Sequence, residues 1–187
     1  MNITAVIPAR GGSKGIPRKN LRPMAGNPLI FYSINACLKA KSISKVVVTT
    51  DDEEIALFAS RFGAEVIMRP AELGDDHITL DPVILHAIES SSVSDDVDIV
   101  VTVQPTSPLV TSEDIDGAME LFKDESCDTV LSVVDDRHLC WTITNGKAKP
   151  DYAERANRQQ LPSKYKETGA IIACRKGVLD TGTRIGS

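Results

Sequence analysis

Arg10, Lys14, Arg18, Lys19 and Arg22 fall between residues 10 and 22 with no acidic residue among them, in the run PARGGSKGIPRKNLR that begins at Pro8. Glycines interleaved with the cations let the backbone come close to a ligand and turn its N–H groups inward, as anion-binding nests do. Such a loop is suited to neutralising and orienting a polyphosphate. The plain alternative is a solvated basic loop with no ligand, but here glycines, cations and a position at the end of an apolar run coincide. The pattern is neither G-x-x-x-x-G-K-[ST] nor G-x-G-x-x-G, which argues against a P-loop ATPase and a dinucleotide dehydrogenase. Asp51 and Asp52, a second pair of chemistry-bearing residues, could offer oxygens to Mg²⁺. A Thr-Asp-Asp-Glu-Glu run leading into a helix is better explained by capping and favourable placement at the helix dipole.

These groups need a scaffold that brings strand ends together. Residues 4–7 form a short, largely apolar run ending at Pro8, the expected form of a buried parallel strand entering a loop. An apolar stripe over 28–40, with Pro28 in the first turn, predicts a helix. Residues 45–50 (KVVVTT) read as a second strand, followed by a helix over 53–62 that ends at Gly63. Further strands are expected at 64–68, 98–103 and 129–134. Helices are expected at 81–90 and from a Thr111 or Ser112 cap to Lys123. The alternation predicts an α/β fold with a mainly parallel sheet covered on both faces by helices, and in such a fold ligands bind beyond the carboxyl ends of the strands. From 135 to 168 the pattern gives way to polar, charged, Pro-containing sequence, an excursion too long for an ordinary connection. A strand is expected to return at 169–174.

Composition bounds the function. At 187 residues the chain is read as one domain over 1–187 with 135–168 inserted in it. A net charge of −5 argues against a general nucleic-acid binder, so any basic site must be local. Cys37, Cys127, Cys140 and Cys174 show no C-x-x-C spacing and do not combine with His77, His86 or His138 as zinc ligands. The apolar run before Arg10 is too short for a signal peptide or membrane span, so no membrane association and a cytoplasmic location are expected.

The run IPARGGSKGIPRKNL, residues 7–21, closely resembles the N-terminal motif of acylneuraminate cytidylyltransferases, the CMP-sialic acid synthetases. RPAEL (69–73), QPTSPL (104–109), RQQLP (158–162) and ETGA (167–170) resemble further blocks of that family in the same order. The resemblance implies a Rossmann-like, three-layer α/β/α nucleotidyltransferase fold with a dimerisation arm at 135–168, and a homodimer. It implies transfer of a cytidylyl group from CTP to an acidic nine-carbon sugar of the N-acetylneuraminate type, releasing pyrophosphate and using Mg²⁺ or Mn²⁺. Close alternatives are CMP or GDP-type activation of legionaminic, pseudaminic or related sugars; a non-catalytic nucleotide-sensing module is the alternative of another class.

Carried onto this sequence, the resemblance makes Arg10 and Lys14 the catalytic cations that neutralise the triphosphate. Ala9, Gly11, Gly12, Ser13, Lys19 and Asn20 complete the nucleotide site. Arg69 is placed near the base or ribose, with an ion pair to Glu72 as its structural alternative. Thr79 stands where the family has a serine-rich stretch. Gln104 is expected to hold the acceptor sugar or simply to cap its strand. Arg158 and Gln159, on the arm, are expected to reach a neighbouring subunit's sugar pocket, although Arg158 could equally serve a structural ion pair. The family's usual metal-binding aspartates lie in a later D-x-D-like segment that would fall beyond Ser187, so the sequence is expected to be part of a longer chain.

Overall fold

Apolar and β-branched residues with no turn signal among them make β1 (Ile3–Pro8), which is buried along almost its whole length. Two short strands, β2 (Pro23–Met24) and β3 (Asn27–Pro28), then close a small hairpin around Ala25 and Gly26, both at positive φ. They precede α1 (Leu29–Lys39), for which Pro28 is the N-cap. Next come β4 (Lys45–Thr50), α2 (Glu53–Arg61), β5 (Glu65–Met68), α3 (Leu80–Glu89), β6 (Ile99–Val103) and α4 (Ser112–Glu120). Asp52 caps α2 by accepting from the N–H groups of Glu54 and Ile55, and Gly63 ends the turn after it at φ 90°. Thr111 and Asp114 form a reciprocal capping box at α4. The chain continues through β7 (Thr129–Asp135), β8 (Trp141–Thr144), β9 (Lys147–Pro150), β10 (Tyr165–Arg175) and α5 (Lys176–Leu179).

This computed structural model describes residues 1–186. They divide into two compact units, one formed by Met1–Ser132 with the segment that begins at Gly169, the other by Val133–Thr168. The main sheet has the order β5-β4-β1-β6-β10-β7. β1 pairs in parallel with β4 and with β6, and β4 in parallel with β5. β10 runs antiparallel to β6, in register from Ile171 opposite Val103 to Arg175 opposite Ile99. The expectation of a mainly parallel sheet holds, with β10 the antiparallel exception. Strand order reverses at β1, which has β4 on one side and β6 on the other, so the crevice beyond the carboxyl ends of β1 and β6 is the topological switch point.

Alternation along the strands divides the core into two. Ala5, Ile7, Val46, Val48, Ile99 and Val101 pack under α1, α2 and α4, whereas Val6, Val47 and Val100 pack under α3 and α5. Helices therefore cover both faces of the sheet, giving three layers. Each fully buried Ile or Val side chain here contributes about 1.5–3 kcal/mol.

The second unit holds a hairpin that sequence reading missed. Thr144 pairs with Lys147 across Asn145 and Gly146, whose φ values of 53° and 74° make the tight turn that Asn-Gly favours. Trp141 meets Tyr152 edge to face at 6.0 Å. β10 also begins at Tyr165 and not at Gly169, as expected.

Candidate functional site

The loop after β1 is shaped by its own backbone. Ala9 is buried and its N–H donates to the Thr49 carbonyl at 2.9 Å, extending the β1–β4 ladder by one rung. Asn20 is buried at 4% exposure in a 3-10 turn and donates its Nδ2 to the Arg10 carbonyl at 2.9 Å, which folds the far end of the loop back onto its start. Arg18, at φ 54°, directs its guanidinium to Glu54 at 2.5 Å and Asp52 at 3.7 Å, at the start of α2. The loop's cations thus divide: Arg18 fastens the loop, and Arg10 and Lys14 remain on the other side.

Those two converge on one carboxylate. Arg10 Nη1 lies 2.6 Å from Asp76 Oδ1 and Lys14 Nζ lies 2.5 Å from Asp76 Oδ2. Hydrogen bonds from Lys14 and then Arg10 hold the Asp76 carboxyl below the usual carboxylate range. Lys14 itself is largely exposed.

A cleft of about 150 Å³ opens beside this contact, at the switch point. Pro8, Arg10, Ser13, Lys19 and Asn20 line it from the β1 loop. Arg69, Leu73, Gly74 and Asp75 line it from the segment after β5, Leu80 and Val83 from α3, and Gln104, Pro105 and Thr106 from the loop after β6. Arg69 donates to Asp51 Oδ1 at 3.3 Å with only 3% of its side chain exposed. The partner is Asp51 and not the anticipated alternative, Glu72. Its buried Nε has no acceptor among the described residues. Burial lowers the Arg69 pKa, the charge of Asp51 opposes the shift, and Arg10 adds to it. Asp51 also accepts the Gly11 N–H at 3.0 Å, so this amide is already committed. Asp52 sits so close to Gly11 that a Cβ there would lie 2.6 Å from its Oδ2. Gly12 has open space around it.

Six expected residues therefore share the cleft: Arg10, Ser13, Lys19, Asn20, Arg69 and Gln104. Gly11, Gly12 and Lys14 belong to the same loop without lining it. Thr79 is exposed, lies outside the lining, and is the N-cap of α3 with no side-chain cap bond. Arg158 and Gln159 lie in the second unit, on a 3-10 turn where Arg158 Nη2 donates to the Asp135 carbonyl at 3.4 Å. Asp76, Gly74 and Leu73 were missed as site residues, and Asp51 was read only as a cap or metal ligand.

A switch-point cleft flanked by cations and a buried arginine is suited to a nucleotide's phosphates. The sequence pattern of the cytidylyltransferase family matches residues 4–179. The chain belongs to the cytidylyltransferase family. Among relatives of this cytidylyltransferase chain, the N-acylneuraminate cytidylyltransferase A of Danio rerio is 34% identical over 189 residues, covering 97% of this chain and 43% of its own. The CMP-N,N'-diacetyllegionaminic acid synthase of Legionella pneumophila is 40% identical over 129 residues, covering 66% of this chain and 54% of its own. The chain thus spans about half, or less, of the length of these relatives. A CMP:2-keto-3-deoxy-manno-octonic acid synthetase solved with CTP superposes with a TM-score of 0.75 at 20% identity, over 100% of this chain and 79% of its own, which shows a shared fold.

The donors available for Mg²⁺ or Mn²⁺ do not fit a protein-held ion. Among the described residues no three His, Cys, Asp or Glu side chains group to hold a metal. The carboxylate that lines the cleft, Asp75, accepts the Asp76 N–H, and those near it are engaged: Asp51 with Gly11 and Arg69, Asp52 with the α2 cap, and Asp76 with Arg10 and Lys14.

Proposed function

We propose that this chain forms the nucleotide-binding and catalytic part of an enzyme that transfers a cytidylyl group from CTP to an acidic nine-carbon sugar of the N-acetylneuraminate type. The observation that carries the proposal is the convergence of Arg10 and Lys14 on a single anionic group beside the switch-point cleft. The sugar's anomeric oxygen attacks the α-phosphorus of CTP, the bond to the bridging oxygen of the β-phosphate breaks, and pyrophosphate leaves as the hydroxyl proton is released. Positioning and charge neutralisation dominate such chemistry. Arg10 and Lys14 counter the triphosphate charge, and Lys14, largely exposed, follows the charge that grows on the leaving pyrophosphate. Gly12, Ser13, Lys19 and Asn20 shape the phosphate cradle; Ala9, buried with its N–H on Thr49, supports it from the end of β1, and Gly11 joins it only by releasing Asp51. Arg69, whose buried Nε has no acceptor among the described residues, serves the base or ribose, together with Thr79.

Gln104 holds the acceptor sugar from the end of β6. Arg158 and Gln159, on the Val133–Thr168 unit, reach the sugar pocket of a neighbouring subunit, as the dimerisation arm of a homodimer would. Among the described residues no side-chain cage for Mg²⁺ or Mn²⁺ is formed. Four free cysteines fit a reducing cytoplasm, and among the described residues no helix is long and apolar enough to cross a membrane.

Identity to the legionaminic acid synthase favours a second reading, in which the acceptor is a legionaminic-type sugar. Pyrophosphate release from CTP with Mg²⁺ tests both, with N-acetylneuraminate and a diacetyllegionaminate as competing acceptors and GTP as the control donor. This chain is compared with the full product of its gene. Release that needs CTP and one of the sugars, and that falls about a hundredfold in Lys14→Ala, supports the proposal. CTP binding by the full product with no release from any such sugar overturns it in favour of a nucleotide sensor.

A further inference from the structure

Asp76 has a position that the proposed chemistry does not use. Each of its carboxylate oxygens meets a different cation, Oδ1 with Arg10 and Oδ2 with Lys14, so one residue spans the gap between the two groups assigned to the triphosphate. A phosphate presents its oxygens to cations in the same way. The carboxylate caps no helix: α3 begins with Thr79 as its N-cap, and Asp76 instead gives its own N–H to Asp75 at 2.7 Å.

The ends of the segment that carries Asp76 are fixed, and its middle is held mainly by these two cations. Gly74 packs so closely on Asp51 that a Cβ would lie 2.9 Å from its Oδ2, and α3 begins at Leu80 under the sheet. Between them the segment is exposed, with an Ile78 N–H bond to the Asp75 carbonyl at 3.2 Å. A triphosphate seated on Arg10 and Lys14 would bring like charge against Asp76, and both anions cannot hold the same donors.

We infer that Asp76 is an internal stand-in for the nucleotide's phosphate oxygens: it keeps Arg10 and Lys14 gathered beside the cleft and is displaced when CTP binds, so that it limits CTP affinity and ties the 74–79 segment to occupancy. This rests on the proposed role of Arg10 and Lys14 as triphosphate ligands. The device keeps two like-charged side chains poised together without substrate, and the exchange weakens binding because the displaced contacts must be broken first. Exposed ion pairs are individually weak, so the effect of two is modest.

Calorimetric titration of the whole chain tests it, with CTP and separately with inorganic tripolyphosphate as probes. Wild type is compared with Asp76→Asn, Asp76→Ser, Lys14→Gln and the Asp76→Asn/Lys14→Gln double variant. The expected result is roughly three- to tenfold tighter binding of both probes in each Asp76 variant, with a smaller gain when Lys14 is already removed. Hydrogen exchange at residues 74–79 should also rise on adding CTP to wild type. Asp76 variants that bind either probe no tighter than wild type, while Lys14→Gln weakens binding, overturn the stand-in role and leave the triphosphate site intact. Lys14→Gln binding as well as wild type overturns the triphosphate assignment itself and this inference with it.

Discussion

Arg69 Nη2 lies 3.3 Å from Asp51 Oδ1, and this contact joins the segment after β5 to the β1 loop, because the same oxygen accepts the Gly11 N–H at 3.0 Å. Replacing Asp51 by Ala leaves a guanidinium with 3% exposure unpaired and strands the Gly11 amide. Removing one partner of such a contact costs about 1–3 kcal/mol, less than a fully buried pair would, because water still reaches the Asp51 carboxylate. Denaturant titration should show that loss, together with weakened CTP binding. Asp51→Asn, which keeps an acceptor for Gly11, should recover part of the stability but little of the affinity.

The close approach of Gly11 to Asp52 gives a sharper contrast. A Cβ at Gly11 would lie 2.6 Å from Asp52 Oδ2 and 2.8 Å from its Cβ, against the side chain that caps α2. Gly11→Ala should therefore lower stability by about 1–3 kcal/mol, by overpacking and a disturbed cap. Gly15, in the same loop, has open space around it. Gly15→Ala should leave the melting temperature near wild type, and equal losses in the two variants would rule out the clash as the cause.

Acid should expose the tie between α4 and the turn after α1. Asp116 accepts from Ser42 Oγ at 2.6 Å, Ser42 N at 2.9 Å and Lys41 N at 3.1 Å. The Ser42 side chain first, and then the backbone amides, lower its pKa from the ordinary 3.8. A lowered folded-state pKa contributes stability above the unfolded value that is lost as the pH falls through the folded one. The stability deficit of Asp116→Asn should thus be full at pH about 6 and shrink below pH about 4 in thermal melts. A deficit that stays constant across this range would show that the carboxylate charge plays no part.

The elements that position the cleft were legible because their signals are local. A run such as KVVVTT carries β propensity and burial in itself, and the Asp52 and Thr111 caps announce the helices that follow. The direction of β10 was not legible: an apolar run at 169–174 reads the same whether it pairs parallel or antiparallel with β6. The β8–β9 hairpin was missed although Asn145-Gly146 is a strong turn signal, because exposed strands such as Trp141–Thr144 lack the apolar alternation that marks a buried face. The cations of the β1 loop were legible as an anion site from type and spacing. Their contact with Asp76 was not, since residues 66 apart in the chain meet only through the fold.

Burial also decides which thiols react. Desolvation pushes the Cys37 thiol up to about 12 and Cys174 up to about 11, whereas Cys127 and Cys140 are only half-buried. The thiolate is the reacting form, so Cys37 and Cys174 should resist a thiol reagent in the native chain and label only after unfolding. Rapid labelling of Cys37 under native conditions would contradict the packing of α1 against the sheet.

Gly169 and Gln104 offer the most selective test of the acceptor side of the cleft. Gly169 has φ 70°, a conformation that an L side chain adopts at a cost of about 1–2 kcal/mol. A Cβ there would lie 3.0 Å from Gln104 Nε2, the mobile end of that side chain, so Gly169→Ala should also push the Gln104 amide from its place. If Gln104 holds the sugar, as proposed, Gly169→Ala should raise KM for the acceptor by about three- to tenfold and leave CTP affinity unchanged. Gln104→Ala should reproduce the KM change without the conformational cost, which separates the two contributions. Matching losses in CTP affinity would instead place Gln104 on the nucleotide side, and an unchanged acceptor KM in Gln104→Ala would remove it from the sugar site.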